Sequence, residues 1–291
     1  MKRVVVFGGS GFLGSYIVNE LLSRNYKVTA ADLHPSPYVD PSLFRQADIM
    51  DAEAVEKILA EGVDVVYNLA GFANLDKAIE FPADTVRLNV MGNLNVLEAC
   101  RNTDVKHFVY ASSAYAMSDK GSFYGISKLS SEKLVKEYHK RYGLDYTILR
   151  YGSVYSERAF ENNYIYQLIE KALQTGEIHH SGDGEEIREY IHALDAARLS
   201  ADVLENPAYK NENLMLTGSE RMRRADLFEM INEILNGKLS IHLSRDGYAH
   251  HYKTTPYSFH PESSKKLVAN PYIDMGQGIL ECIKAIRSSH E

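Results

Sequence analysis

A tyrosine and a lysine four residues apart are the residues of this sequence best suited to proton transfer. They are Tyr124 and Lys128, the two ends of the segment YGISK. On a helix, positions i and i+4 lie on one face, about one turn apart. An ammonium group near a phenol favours the phenolate and lowers the tyrosine pKa from about 10 towards the neutral range. Such a tyrosine can accept a proton from a hydroxyl group while hydride leaves the same carbon, although Tyr–Lys pairs also occur by chance on helix surfaces.

Two serines stand just upstream of this pair. Ser112 and Ser113 follow the apolar segment 108–111, which has the pattern of a buried strand. In α/β folds, ligands bind outside the carboxyl ends of the strands. Ser113 could therefore hydrogen-bond the reacting oxygen and hold it against Tyr124. The simpler alternative is a serine turn that leaves the strand.

A glycine-rich loop near the start of the chain has the spacing of a phosphate-binding loop. Gly8, Gly11 and Gly14 form G-x-x-G-x-x-G between a strand and a helix. Gly8 permits the tight turn, Gly11 lets the backbone approach a pyrophosphate, and Gly14 lets the helix pack on the strand. The N–H groups at the helix start, at Phe12 and Leu13, would then hold the phosphates. Because strand, loop and helix occur in this order, the motif predicts dinucleotide binding.

An aspartate at the end of the second predicted strand favours NAD over NADP. Asp32 follows Gly14 by eighteen residues. A carboxylate there can accept hydrogen bonds from both ribose hydroxyls of the adenosine, and it would repel a 2′-phosphate. His34 is the only nearby group that could offer positive charge. The alternative is a solvated acid at a strand end.

Two residues after the next apolar segment are candidates for the adenine site. Asp48 and Ile49 could flank the base. A helix-capping role for Asp48 or Asp51 is the competing interpretation, because aspartate is a favoured N-cap residue.

The elements that must position these residues alternate between strand and helix. Apolar runs without alternation indicate strands buried on both faces, as in a parallel sheet covered by helices. The predicted strands are 3–7, 27–31, 63–69, 106–111 and 146–150, and the predicted helices are 12–23, 52–60, 85–101 and 124–142. This order predicts an α/β fold, a Rossmann domain with a doubly wound parallel sheet.

The rhythm changes after about residue 153. Helices are predicted at 163–175, 192–204, 225–235 and 275–287, with short strands between them. We therefore expect an NAD-binding domain over 1–152, to which 188–204 returns, and a smaller C-terminal α/β substrate lobe over the rest of 153–291.

Composition excludes several classes of partner. The net charge of −7 is spread without long runs of one sign, so nucleic acid and anionic membrane surfaces should repel the chain. No apolar stretch approaches the ~20 residues of a membrane span. The two cysteines, Cys100 and Cys282, lie in apolar helical patterns, so we predict that both are buried free thiols. Free thiols are typical of a reducing compartment, so we expect a cytoplasmic protein. The sequence predicts no metal site.

Taken together, these segments resemble the extended short-chain dehydrogenases/reductases, in the NAD-dependent epimerase/dehydratase branch. The likeness extends to about residue 200, and more loosely beyond. The matching segments are GGSGFLG at 8–14, NLAG at 68–71, LNVMGNLNVLEAC at 88–100, YASS at 110–113, YGISK at 124–128, LRYGSVY at 149–155 and GDGEEIREYIHALDAA at 182–197.

The resemblance implies roles for individual residues. Tyr124 would be the base and contact the cofactor with its ring edge. Lys128 would be its electrostatic partner and a ribose ligand, and Ser113 would orient the substrate. Ala70 and Gly71 would line the cofactor, with Asn89 nearby.

The resemblance also points to the substrate side. Arg188 falls where the family binds the nucleotide diphosphate; the alternative is a surface arginine paired with Glu185 or Glu189. Ser153 stands where relatives carry a phosphate-contacting asparagine, which is one departure from the family pattern. His192 and Asp195 are expected to shape the start of a helix rather than to touch a ligand.

Two further departures bear on the reaction. Only ten residues separate Ser113 from Tyr124, whereas relatives usually carry a longer loop near the substrate. The 4,6-dehydratases carry an Asp-Glu pair where this chain has Ala114 and Tyr115. Elimination needs an acid and a base beside the sugar, so dehydration is disfavoured.

The resemblance implies an enzyme that oxidises a nucleotide-linked sugar at C4 with NAD. An epimerase is the leading hypothesis; a 4-dehydrogenase or 4-ketoreductase without epimerisation is the alternative. A non-catalytic NAD-binding protein and an oxidoreductase for a non-nucleotide carbonyl are less favoured, because the Tyr–Lys pair and Asp32 are present. Relatives pair the helices predicted at 85–101 and 124–142 across a two-fold axis, so we expect a homodimer.

Overall fold

A computed structural model describes residues 1–159, 163–244, 253, 265–267 and 271–290. Parts of the predicted C-terminal lobe lie outside these residues. The predicted fold class is confirmed, because a large parallel sheet with helices on both faces organises the chain.

Within the described residues, eight parallel strands form the main sheet. Its order is β14-β11-β6-β5-β4-β1-β2-β3, with β1 at the point where the strand order reverses. These strands are β1 (Arg3–Phe7), β2 (Lys27–Asp32), β3 (Phe44–Gln46), β4 (Val65–Asn68), β5 (His107–Ser113), β6 (Asp145–Tyr151), β11 (Glu212–Leu216) and β14 (Lys265–Lys266). The edge at which β1, β4 and β5 end is therefore where this architecture predicts a ligand.

Both faces of the sheet are covered, which explains the unbroken apolar strands. Val4 and Val6 of β1 face one core and Val5 and Phe7 face the other. The first core is closed by helices α1 (Phe12–Ser23) and α8 (Ala193–Asp202). The second is closed by α2 (Ala52–Leu59), α5 (Asn93–Asn102) and α6 (Ser122–Tyr142).

The helix predicted over 85–101 is present, because 82–102 is helical throughout, but it is not regular. Two short helices, α3 (Leu75–Glu80) and α4 (Pro82–Val86), precede a π-helical turn at Arg87–Gly92, and α5 follows. The wide turn coincides with Asn89, whose side chain is bonded to groups outside the helix. Wide turns of this kind are frequent at functional sites.

The remaining elements form a smaller second lobe with its own core. Helices α7 (Tyr164–Thr175), α9 (Arg224–Ile234) and α10 (Met275–His290) supply most of its apolar side chains. In the part of the lobe that the structure describes, three two-stranded sheets accompany them: β7 (Ser153–Tyr155) with β10 (Tyr190–His192), β9 (Ile187–Arg188) with β12 (Met222–Arg223), and β8 (Glu177–Ser181) with β13 (Ser240–Ser244). Because β11 and β14 belong to the main sheet and α8 packs on it, the chain crosses between the main sheet and the second lobe several times after residue 152.

The two cysteines are free and buried, as predicted. Burial raises the pKa of the Cys282 thiol to about 12 and that of Cys100 further. Within the described residues, no helix has the length and apolar character needed to cross a membrane.

Candidate active site

Tyr124 and Lys128 lie on the same face of α6, as their spacing predicts. The ammonium of Lys128 is 5.9 Å from the centre of the Tyr124 ring and 5.1 Å from that of Tyr110. It donates a hydrogen bond of 2.9 Å to the carbonyl of Ala111, at the end of β5. Burial lowers the pKa of Lys128 to about 8, and the charge of Glu132 opposes this shift. A buried cation thus stands beside the phenol.

Close backbone packing holds the first turn of α6 against the end of β5. The residues 114–117 form a 3₁₀ turn between them. A Cβ atom at Gly125 would lie 2.8 Å from the Tyr115 carbonyl oxygen, and one at Gly121 would lie 2.9 Å from it. The Tyr115 ring meets the Tyr124 ring edge-on, with 6.4 Å between centroids. The short Ser113–Tyr124 connection is therefore compact, and it puts an aromatic ring beside the predicted base.

Ser113 ends β5 and is buried. Its Oγ accepts a hydrogen bond of 3.2 Å from the N–H of Tyr115. Ser113 is thus the N-cap of the 3₁₀ turn. This contact is the one that the serine-turn alternative describes. It uses Oγ as an acceptor, so the hydroxyl proton remains a donor for a substrate oxygen, and the catalytic role of Ser113 stays a prediction.

A buried ion pair beneath these residues was missed by the sequence analysis. Arg150 of β6 donates from Nε and Nη2 to the two carboxylate oxygens of Glu132, at 2.8 and 2.6 Å, and Ser112 Oγ donates to the same carboxylate at 2.6 Å. Glu132 is 1% exposed and Arg150 is 4% exposed. We call Ser112, Lys128, Glu132 and Arg150 the buried polar layer. The available signal was a glutamate four residues after Lys128 and an arginine inside an apolar strand pattern.

The glycine loop, residues 8–14, has the geometry of a phosphate cradle. Gly8 has φ +76°, and a Cβ there would lie 2.7 Å from the N atom of Ala70; a Cβ at Gly14 would lie 1.9 Å from the Gly8 oxygen. A Cβ at Gly11 would meet only the Gly8 oxygen, at 3.2 Å. Gly11 is the N-cap of α1 and offers no side chain to the first-turn N–H groups, including those of Phe12 and Leu13. Helix N–H groups without a cap form an anion site.

An orphaned polar atom and a carboxylate complete the fit to a dinucleotide. Among the described residues, the buried Ser10 Oγ has no hydrogen-bond partner. Asp32 accepts hydrogen bonds from the N–H groups of Ser10, at 3.0 Å, and Leu33, at 2.7 Å. Asp32 is only half-buried, so its remaining lone pairs can accept ribose hydroxyls. His34 is exposed.

The predicted adenine residues lie at a turn. Asp48 is exposed and its carboxylate accepts from the N–H of Met50, at 2.9 Å. The N-cap of α2 is Asp51, which accepts from the N–H of Ala54. Ile49 is buried, and a Cβ at Gly92 would lie 2.5 Å from its Cδ1. The capping interpretation is thus confirmed for Asp51, whereas an adenine contact of Asp48 or Ile49 stays a prediction.

Asn89 connects the loop after β4 to α6. Its Oδ1 accepts from the N–H of Phe72 at 2.7 Å, and its Nδ2 donates to the Phe72 carbonyl at 3.0 Å and to Ser127 Oγ at 2.9 Å. Gly71 has a φ of +147°, and a Cβ atom there would lie only 2.4 Å from Asn89 Oδ1, so the position does not accommodate a side chain. Asn89 thus holds the Ala70–Gly71 backbone in place, and its own polar atoms are engaged in doing so.

The predicted substrate residues lie in the second lobe. Arg188 is 2% exposed and donates from Nη1 to the carbonyl of Ile187 at 2.9 Å. A surface arginine is therefore the wrong interpretation. Ser153 begins β7 and pairs with Tyr190 of β10. His192 caps α8 as predicted, accepting from the N–H of Leu194.

Asp195 lies in the first turn of α8, as expected, and it also holds a distant segment. Its carboxylate accepts from the N–H groups of Tyr272 and Ile273, before α10. It lines a cavity of about 390 Å³, and none of the predicted catalytic or cofactor-binding residues lies in the wall of that cavity. Charges in its wall pair with one another, as Arg24 does with Glu20 and Asp202.

We place the candidate active site at α6 and the glycine loop, because the groups predicted for proton transfer and for phosphate binding lie there.

Comparison with known proteins agrees with this geometry. The family model described as the NAD dependent epimerase/dehydratase family matches residues 4–216. A putative UDP-glucose 4-epimerase of Methanocaldococcus jannaschii is 28% identical over 310 aligned positions, which cover 99% of each chain.

Two solved structures have the same fold over nearly the whole chain. One is a UDP-N-acetylglucosamine 4-epimerase of Methanobrevibacter ruminantium in complex with UDP-N-acetylmuramic acid, at a TM-score of 0.83 and 27% identity, with 99% of both chains covered. The other is a UDP-glucose 4-epimerase of Thermotoga maritima with UDP-glucose, at a TM-score of 0.84 and 24% identity, covering 99% of this chain and all of that one. Since the family model spans most of the sequence, this chain belongs to the NAD-dependent epimerase/dehydratase family.

Proposed function

We propose that this protein is an NAD-dependent epimerase that inverts C4 of a sugar carried on a nucleoside diphosphate. The observation that carries the proposal is the buried Lys128 ammonium beside Tyr124. The pair lies at the edge of the main sheet where β1 and β5 end, and the glycine loop follows β1 at the same edge. Membership of the family supports NAD as the cofactor. The relatives described as 4-epimerases of UDP-sugars support the substrate class and the position of attack.

The chain's own groups divide the chemistry of the sugar between them. The Lys128 charge stabilises Tyr124 as the phenolate, and the phenolate oxygen accepts the proton of the C4 hydroxyl and becomes the neutral phenol. Ser113 donates a hydrogen bond to the same sugar oxygen and holds it in line. Held by the glycine loop and Asp32, NAD would supply the hydride chemistry that inversion at C4 needs. Tyr124 then returns the proton to the inverted oxygen, so no net redox change remains.

The glycine loop and Asp32 would select and hold the cofactor. The N–H groups at the start of α1 and Ser10 Oγ suit the pyrophosphate. Asp32 suits the two ribose hydroxyls and opposes a 2′-phosphate. Arg188 and Ser153 would contact the substrate diphosphate from the second lobe.

Two neighbouring reactions fit the site less well. Dehydration needs an additional acid and base beside the sugar, and the corresponding positions hold Ala114, which is buried, and Tyr115. A 4-dehydrogenase or 4-ketoreductase would use the same Tyr124 and Lys128, but it would release the keto-sugar.

A substrate panel tests the proposal. The protein is incubated with NAD and with UDP-, dTDP-, GDP- and CDP-linked hexoses, and the products are identified by NMR. We expect a C4 epimer from one nucleotide class without net NADH. Stoichiometric NADH with a 4-keto product would establish the dehydrogenase instead, and no turnover of any member would refute the substrate class.

We also propose a cytoplasmic homodimer. The helices α3 to α6, with the π-helical turn, expose most of the large apolar side chains that face solvent in the described chain. They are Ile79, Phe81, Val86, Met91, Phe123, Ile126, Leu129 and Tyr142. An apolar face of this kind favours a partner, and a second copy meets it with the same surface.

Light scattering tests the dimer. We expect twice the chain mass of 32.8 kDa for the parent protein and the mass of one chain for Ile126→Glu. Tyr272→Glu, at an equally exposed position outside these helices, serves as the control. A parent particle of one chain mass at micromolar concentration would refute the dimer.

A further inference from the structure

Two histidines and a glutamate meet on the surface of the second lobe, outside the candidate active site. They are Glu177 and His179 of β8 and His242 of β13. One potential ligand atom from each lies within 4.8 Å of the other two. His242 is far from the other two residues in the sequence, and the pairing of β13 with β8 brings it to them.

The strand geometry explains why all three share a face. In β8, Ile178 and His180 are buried, so Glu177 and His179 point outward. The strands pair in parallel with His179 opposite His242, which puts both imidazoles on the same side. Their rings stack with centroids 4.7 Å apart and an angle of 16° between planes.

The three groups have the chemistry of a transition-metal site. Imidazole nitrogen and carboxylate oxygen are ligands that Zn²⁺ takes, with bonds of about 2.0–2.2 Å. Glu177 Oε2 and His179 Nε2 are already 2.6 Å apart. Exposure of both histidines leaves room for water at the remaining coordination positions.

A second cluster in the described chain lacks this capacity. Glu157, His192 and Glu281 also approach one another. There, however, Nδ1 of His192 accepts a hydrogen bond from the N–H of Leu194. The neutral ring must then carry its proton on Nε2, the nitrogen that lies 3.6 Å from Glu157. A protonated nitrogen has no lone pair for a metal, so this cluster lacks its histidine ligand.

We propose that Glu177, His179 and His242 form a binding site for a divalent transition-metal ion, with Zn²⁺ as the preferred ion. The cation takes the place of the proton between His179 Nε2 and Glu177 Oε2, and the neutral imidazole then carries its proton on Nδ1. It cross-links β13 to β8 and so stabilises the fold of the second lobe. The proposal does not depend on the epimerase function, because none of the three residues belongs to the candidate active site.

Titration calorimetry with ZnCl₂ on tag-free protein tests the site. We expect one saturable site per chain, and a melting temperature that rises with Zn²⁺ concentration because the ion binds the folded state. His179→Ala and His242→Ala should each weaken binding by more than about tenfold, since even the partners of metal ligands are worth 10–100-fold. Glu177→Gln, which keeps the side-chain shape, should also weaken it.

The control is His34→Ala, which removes an exposed histidine elsewhere and should leave Zn²⁺ affinity unchanged. Circular dichroism separates loss of ligand from loss of fold in each variant, and His242→Asn replaces His242→Ala if β13 is disturbed. No saturable binding at millimolar Zn²⁺, or binding that survives both histidine substitutions in folded protein, would overturn the proposal.

Discussion

Side-chain contacts fix the buried polar layer near Tyr124, whereas the absence of side chains fixes the glycine loop. In the buried polar layer, Lys128 contacts the Ala111 carbonyl, and Glu132 joins Ser112 to Arg150. In the glycine loop, Gly8 and Gly14 let backbone approach backbone where a Cβ would collide. The two regions should therefore fail differently: the first when a charge or hydroxyl is removed, the second when a single methyl group is added.

Removal of the Tyr124 hydroxyl should have the largest effect. Tyr124→Phe keeps the ring and its packing but removes the oxygen that moves the proton, so turnover should fall by about 10²–10⁴-fold. NAD affinity should change little. Tyr142→Phe, at an exposed tyrosine near the end of the same helix, is the matched control. If Tyr124→Phe turns over its sugar nucleotide as fast as the parent protein does, Tyr124 is not the base.

The buried polar layer should show the next largest effect, on stability. Arg150→Met leaves the Glu132 carboxylate buried without its guanidinium partner, which typically costs about 3–5 kcal/mol in the free energy of unfolding. Arg141→Met breaks an exposed pair with Glu137 on the same helix and should cost less than about 1 kcal/mol. Urea denaturation measures both. Equal losses in the two variants would mean that burial of the layer contributes nothing.

Two glycine substitutions should separate packing from phosphate binding in the glycine loop. Gly14→Ala puts a Cβ 1.9 Å from the Gly8 oxygen, so it should destabilise the fold by at least ~1–3 kcal/mol. Gly11→Ala meets a single atom at 3.2 Å and should leave stability nearly unchanged. It should instead weaken NAD binding by roughly tenfold or more, since a hydrogen bond to a charged group is worth about 1.5–3 kcal/mol.

Thermal unfolding and NAD titration of both variants distinguish these effects. The contrast fails if Gly11→Ala loses stability to the same extent as Gly14→Ala, or if its NAD affinity is unchanged.

The smallest expected effect is a pH dependence of stability that comes from Lys128. Burial lowers its folded-state pKa to about 8, below the unfolded value of 10.5. Between these values the unfolded chain binds more protons than the folded one, so stability should rise with pH, by less than about 1.4 kcal/mol per pH unit. Lys128→Met should lack this contribution. Parallel curves of unfolding free energy against pH for the two proteins would show that burial does not lower the pKa of Lys128 in the folded protein.

Local patterns in the sequence were sufficient for the motifs whose parts lie close together. The glycine loop is completed within seven residues, and Tyr124 and Lys128 share a face of α6 because helical periodicity requires it. The main sheet followed from unbroken apolar strands, which need a helix layer on each side. Asn163 and His192 at the predicted helix starts are N-caps in the structure.

Contacts between groups on distant segments could not be predicted from local sequence patterns. Glu132 and Arg150 look like ordinary charged residues until α6 packs on β5 and β6. Asn89 lies in a pattern that reads as regular helix, and its bonds to Phe72 and Ser127 accompany the π-helical turn there.

The sequence by itself thus determined the fold class, the glycine loop and the Tyr124–Lys128 pair, because each depends on spacing within one or two elements. Only the tertiary structure decided how these are supported and what else the chain brings together. His179 and His242 show the reason most simply. Strand pairing joins them across more than sixty positions, and no local periodicity records which distant strand will be the neighbour.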